Sequence, residues 1–137
     1  RENGLSEGLI FMDLNKFKQL NDDYGHDAGD QALKDIAEIL KQIFKGPNFV
    51  FSRYGGDEFV IYLKGLKLND LDNFLSQLST TIKTEFEHKP INGLNASLGA
   101  VFSASGDHHL DLLINAADGC MYEAKKNEID TQTLVLS

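Results

Sequence analysis

The chain is predicted to form one mixed domain, α+β or α/β, with helices packed on a single sheet. Three observations carry that expectation. Short β-type runs alternate with long stretches whose apolar residues recur at helical spacing. A Gly-Gly pair falls between two adjacent β-type runs. The length of 137 residues and the 42% hydrophobic content suit one globular domain with its own core.

Residues 9–14 are apolar on both faces apart from Asp13, the pattern of a central strand, which here ends beside a carboxylate. A polar stretch with Asn21, Asp22, Asp23 and Gly25 follows. Apolar residues then return at Leu33, Ile36, Ala37, Leu40, Ile43 and Phe44, the stripe of one helix face, and Gly46-Pro47 stops that helix. Residues 49–54 and 58–63 are two further strands, with Gly55-Gly56 opening the hairpin between them. Leu71, Phe74, Leu75, Leu78, Ile82 and Phe86 mark a second helix, which residues 90–93 break. Residues 95–103 form another strand, with Gly99 a weak point or a place of close approach. Leu110, Leu113, Ile114, Ala117, Met121 and Ala124 mark a third helix, and residues 133–136 a last short strand. No repeat and no internal domain boundary is visible.

Composition excludes several classes. Runs of aliphatic or aromatic residues, such as Leu9-Ile10-Phe11-Met12, fall far short of the roughly 20 residues a membrane-spanning helix needs. Direct membrane insertion is therefore not expected, and no signal peptide is visible. Thirteen basic and 21 acidic side chains give a net charge of −8, the wrong sign for wrapping a nucleic-acid polymer. A small anion such as a nucleotide remains compatible if acids hold divalent cations. Cys120 stands alone and reads as a small apolar helix residue, which fits a reducing cytosol.

Asp13 at a strand end and Asp57-Glu58 after the Gly-Gly turn place three carboxylates where loops gather. Oxygen ligands without nearby His or Cys favour Mg²⁺ or Mn²⁺ over zinc. The plainer alternative is a pair of solvated hairpin acids. His88, His108 and His109 lack companions at ligand spacing and read as surface histidines. Tyr54 and Phe51 read as strand packing rather than base stacking.

The stretch Asp13-Leu14-Asn15-Lys16-Phe17-Lys18-Gln19-Leu20-Asn21-Asp22, then Gly25-His26 and Gly29-Asp30, together with Arg53-Tyr54-Gly55-Gly56-Asp57-Glu58-Phe59, resembles the GGDEF family of diguanylate cyclases. Ala117-Asp118, Met121-Tyr122 and Ala124-Lys125 are similar to that family's helical signature. The likeness spans roughly residues 9–126. It implies an α+β fold of the nucleotide-cyclase palm type, with a mostly antiparallel central sheet. It further implies condensation of two GTP into cyclic di-GMP and two pyrophosphates by a transient homodimer.

By the same resemblance, Asp13, Asp57 and the carbonyl of Leu14 hold two Mg²⁺ or Mn²⁺ ions at each half-site. Asp57 also matches the residue usually assigned as proton acceptor, and Glu58 an electrostatic or outer-sphere partner of the metals. Lys18 and Lys125 match phosphate-contacting lysines. Asn21 and Asp30 match the guanine readers, and His26 lines the same pocket. A carboxylate and an amide together satisfy guanine, whereas adenine N1 repels a carboxylate. Gly55 and Gly56 would let the backbone approach phosphates.

The departures from the family are specific. Asn15 replaces a common second aspartate, and Glu128-Ile129 stand where Gly-Arg is usual. Gly46-Pro47-Asn48-Phe49 occupies the place of the product-inhibition motif Arg-x-x-Asp. The usual N-terminal helix and lead-in are missing, so residues 1–137 are expected to be a single domain truncated at its N-terminus. A sensory or regulatory domain would precede it in a longer, cytoplasmic or membrane-anchored protein. Two alternatives stay open: a GTP-binding module without turnover, and a structural dimerisation domain.

Overall fold

The computed structural model describes residues 4–87 and 94–137. The elements follow in the order β1 (Glu7–Asn15), α1 (Phe17–Tyr24), α2 (His26–Ile43), β2 (Phe49–Arg53), β3 (Glu58–Lys64), α3 (Leu68–Glu87), β4 (Asn95–Ser103), α4 (Leu110–Lys126) and β5 (Thr131–Leu136). They build one sheet of order β2-β3-β1-β4-β5, antiparallel except for the β4–β5 pair. The fold is α+β.

β1 lies between β3 and β4, and helices cover both of its faces, which accounts for its unbroken apolar run. Side chains alternate across it. Ile10, Met12 and Leu14 join Ile36, Leu40, Leu78 and Ile82 in the core beneath α2 and α3. Leu9 and Phe11 join Leu113, Ala117 and Met121 beneath α4. Asp13 shares the parity of Leu9 and Phe11, so it emerges on the α4 face, opposite Glu58 of β3 and Ser97 of β4.

The β4 bounds agree with the sequence pattern, and Gly99 proves to be a point of close approach. A Cβ there would overlap the carbonyl oxygen of Ala117 and the amide nitrogen of Met121, and would stand 2.7 Å from the Met121 Cα. Helix α4 therefore rests directly on the β4 backbone. The pattern did not reveal α1, where Leu20 is the buried residue, so one turn of apolar signal had to specify an eight-residue helix. Nor did it reveal the polar start of α2 at His26, which Gly25 separates from α1 with φ 92°. The expected break at 90–93, like His88, lies outside the described residues. β5 begins at Thr131, two positions before the expected strand. No helix among the described residues is long and apolar enough to cross a membrane.

Candidate active site

The carboxylates meet at one end of the sheet because of register and one turn. β1 ends there, and the Leu14 N–H donates to the Asp57 carbonyl at 3.0 Å, fastening the hairpin connection to it. The Tyr54 N–H closes the connection by donating to the Glu58 carbonyl at 2.7 Å. Neither Gly55 nor Gly56 has a positive φ, so their value lies in space rather than in left-handed geometry. A Cβ on Gly55 would overlap Glu58 Oε1, whereas one on Gly56 would meet nothing within 4 Å. The Gly55 N–H points at the Glu58 carbonyl at 3.4 Å, within the turn itself.

Arg53 is the contributor that motif reading left without a role. Its Nε donates to the carbonyls of Gly55 and Gly56 at 3.1 and 3.0 Å, and its Nη2 to Gly56 at 2.7 Å. One planar guanidinium thus clamps both glycines of the turn that carries Asp57 and Glu58. Tyr54 meets Phe11 edge-on, with ring centroids 5.5 Å apart, in keeping with a packing role.

Helix α4 supplies charge of both signs. Lys125 Nζ donates to Asp13 Oδ2 at 2.5 Å, from the last turn of the helix, where its dipole favours a cation. Partial burial, then the Asp13 carboxylate, push the Asp57 carboxyl above its usual range, while Lys125 and Arg53 pull it back. Burial, then Asp13, Asp57 and Asp118, push Glu58 up. Asp118 is therefore a fourth member of the acidic cluster, brought in by α4.

Among the described residues, no group of three or more His, Cys, Asp or Glu side chains is arranged to hold a metal ion. Two mutually repelling carboxylates are a different donor set. They suit Mg²⁺, which binds through one or two carboxylates together with substrate phosphates rather than in an all-protein cage. The fit is therefore to a metal–nucleotide complex.

Two cavities are lined by residues bonded to this cluster or to its turn, Lys125 in one and Arg53 in the other. One of about 520 Å³ is lined by Asn15, Lys16, Asn95, Ser97, Lys125 and Ile129, among others. Lys16 enters it from a left-handed backbone position, φ 61°. Asn15 is held there, its Nδ2 donating to Asn95 Oδ1 at 2.7 Å and its Oδ1 accepting from Ser97 Oγ at 3.2 Å. Ile129 brings an apolar side chain to the same wall. The other cavity, about 420 Å³, is lined by Asp30, Lys34, Phe51, Arg53 and Phe59, among others. Asn21 packs against Gly29, next to Asp30 in sequence. His26 lies one turn before Asp30 on α2, and both it and Lys18 are exposed.

Cys120 is half-buried, its thiol pushed up by burial and by Glu123. His108 Nε2 lies 3.0 Å from the Ser137 carbonyl, away from these acids in sequence and in bonding.

Residues 1–131 match the family described as diguanylate cyclase, GGDEF domain. The chain is 35% identical over 127 residues to the diguanylate cyclase VdcA of Vibrio cholerae, covering 89% of this chain and 37% of that protein. It is 33% identical over 129 residues to the diguanylate cyclase DosC of Escherichia coli, covering 90% of this chain and 27% of that one. The chain thus spans well under half the length of these relatives. Among solved structures, the diguanylate cyclase SiaD of Pseudomonas aeruginosa, crystallised with its activator SiaC, superposes with a TM-score of 0.81. Identity there is 26%, covering 95% of this chain and 50% of that one. The GGDEF domain of DgcB from Caulobacter crescentus, in complex with c-di-GMP, shares the fold with a TM-score of 0.85 at 20% identity, covering 94% and 78% of the two chains. With the acids, the glycine turn and the α4 lysine joined in one place, the chain belongs to the GGDEF-domain diguanylate cyclase family.

Proposed function

We propose that this domain condenses two molecules of GTP into cyclic di-GMP, each held on one of two chains that meet face to face. The observation that carries the reading is the convergence of Asp13 from β1, Asp57 and Glu58 from the hairpin, and Asp118 and Lys125 from α4 at one end of the sheet. Lys125, bonded to Asp13 of that cluster, also lines a cavity with Lys16, so two lysines bring positive charge there.

In this reading Lys18 and Lys125 receive the triphosphate, with Lys16 adding charge at the cavity wall, while Asp30 and Asn21 select guanine. Asp13, Asp57 and the Leu14 carbonyl would hold divalent ions, and bound ions would neutralise phosphate charge and acidify the ribose 3′-hydroxyl. The 3′-oxygen of one GTP forms a bond to the α-phosphorus of the other. The bond from that phosphorus to the β-bridging oxygen breaks, and pyrophosphate leaves with the electron pair. Repetition with the roles reversed closes the ring. The 3′-proton passes to a base in the acidic cluster. Because each nucleotide attacks the other, the two half-sites must face each other across a two-fold axis. The multidomain size of the relatives supports a further domain that brings the pair together.

The test is incubation with GTP and Mg²⁺, scoring cyclic di-GMP and pyrophosphate. Two pyrophosphates per cyclic product are expected, with specific activity rising with protein concentration. Saturable GTP binding without pyrophosphate release would instead establish the second reading, a GTP-binding module without turnover. Ile129 on the wall of the phosphate cavity is the observation that favours that alternative.

A further inference from the structure

We infer that Gly29 is a positioning residue for base selection, acting through Asn21; the inference rests on the assignment of Asn21 as a guanine reader. Gly29 is buried in the first turns of α2 and has ordinary helical backbone geometry, so no left-handed φ demands glycine there. What demands it is space. A Cβ on Gly29 would overlap Asn21 Oδ1, stand 2.8 Å from Asn21 Cγ and lie 3.3 Å from Phe17 Cζ. The amide of Asn21 is thus seated on the bare Cα of the residue that precedes Asp30. A methyl group would evict it.

The eight-residue α1 meets the start of the longer α2 here, anchored by buried Leu20 and by Phe17 packed against the core. The contact with Gly29 fixes where the α1 amide stands relative to the α2 carboxylate. Guanine needs both groups at one edge, because it presents two donors and an acceptor side by side. Displacing the amide should weaken guanine selectively, whereas general damage to the α1–α2 junction should weaken every nucleotide alike.

The experiment compares dissociation constants for GDP and ADP, which cannot be cyclised with loss of pyrophosphate, in the presence of Mg²⁺. It uses the parent, Gly29→Ala, Asn21→Ala and the double variant. Alanine is the stronger helix former, so α2 is retained. In the double variant the missing amide leaves room for the new methyl, which keeps the comparison sound even if Gly29→Ala alone folds poorly. Each single variant should reduce the GDP-over-ADP preference by about tenfold, the effect of one hydrogen bond, with ADP binding little changed. The double variant should lose no more than either single one, because both act through the same amide. Additive losses, an equal loss for GDP and ADP in Gly29→Ala, or an unchanged preference in that variant while Asn21→Ala loses its own, would each overturn the role of Gly29 alone. An unchanged preference in Asn21→Ala would overturn the guanine assignment, and the inference with it.

Discussion

The two faces of the sheet are built to different standards. Beneath α2 and α3, the described residues include a continuous core of 23 buried side chains, from Ile10 on β1 to Phe102 on β4. Beneath α4 the corresponding cluster has seven, and Gly99 lets the helix sit on the strand backbone. The thick face supplies stability. The thin face brings Asp13, Lys125 and Asp118 together with the hairpin acids, and its shallow burial leaves them able to ionise and to reach a ligand. Stability and chemistry should therefore be separable by mutation, except where α4 touches β4.

The strongest test of that separation is Asp57→Ala. On the proposed mechanism, loss of this carboxylate should lower cyclic di-GMP synthesis by about a thousandfold, worth ~4 kcal/mol of barrier. Metal-free melting temperature should stay level or rise, because one of several repelling acids is gone. Near-parent turnover at saturating Mg²⁺ would sink the site assignment. A large fall in melting temperature would sink the separation.

Next come changes that attack the packing. Leu78 has no exposed surface, and Leu78→Ala should cost ~2–5 kcal/mol in denaturant unfolding while leaving activity per folded molecule unchanged. Gly99→Ala should cost about 1–3 kcal/mol through overpacking, but here activity should fall too. The methyl meets backbone atoms of α4, so the helix that presents Lys125 must move. Equal activity per folded molecule in both variants would show that the thin face carries no special link to the site.

A smaller effect is expected at Arg53. Arg53→Ala removes three hydrogen bonds to the Gly55 and Gly56 carbonyls, on an exposed side chain, and should lower kcat about tenfold, or ~1.4 kcal/mol. Arg53→Lys should recover little of it, since a single ammonium cannot span both carbonyls as the guanidinium does. Full activity in the lysine variant would reduce the clamp to a point charge.

How much of this was legible in the sequence follows from range. The β4 strand, the hairpin and the acids at strand ends were visible, because alternation and turn residues are local signals. Helix α1 was not, since eight residues with one buried position give no periodicity to read. The pairing of Lys125 with Asp13 spans 112 positions; the motif likeness assigns both residues to one site, but neither it nor any local pattern shows them bonded. Arg53 lies within the motif, yet its role needs the turn carbonyls in three dimensions. Asp118 was likewise visible as a letter and invisible as a neighbour of Glu58 until α4 was laid on the sheet.

The finest distinction between the faces lies in pH. Asp57 and Glu58 both bind their protons more tightly in the folded protein than in the unfolded chain, through partial burial and neighbouring acids. The folded state therefore holds more protons than the unfolded state between the ordinary carboxylate range and the raised folded values. The stabilising contribution is fully present below the unfolded values and is lost as pH rises through the folded ones, leaving both acids ionised against each other at neutrality. Asp57→Asn should then raise the melting temperature relative to the parent at pH 7, in chelator, by a margin that shrinks as the pH is lowered into the ordinary carboxylate range. Leu78→Ala should show no such dependence, since no charge is altered. Mg²⁺ should narrow the Asp57→Asn advantage from the other side, because an ion that binds the folded parent stabilises it and finds one ligand fewer in the variant. Melting curves of the parent and the two variants across this pH range, with chelator and with Mg²⁺, decide the matter. A constant margin between parent and Asp57→Asn at every pH would mean that repulsion within the acidic cluster does not set the difference.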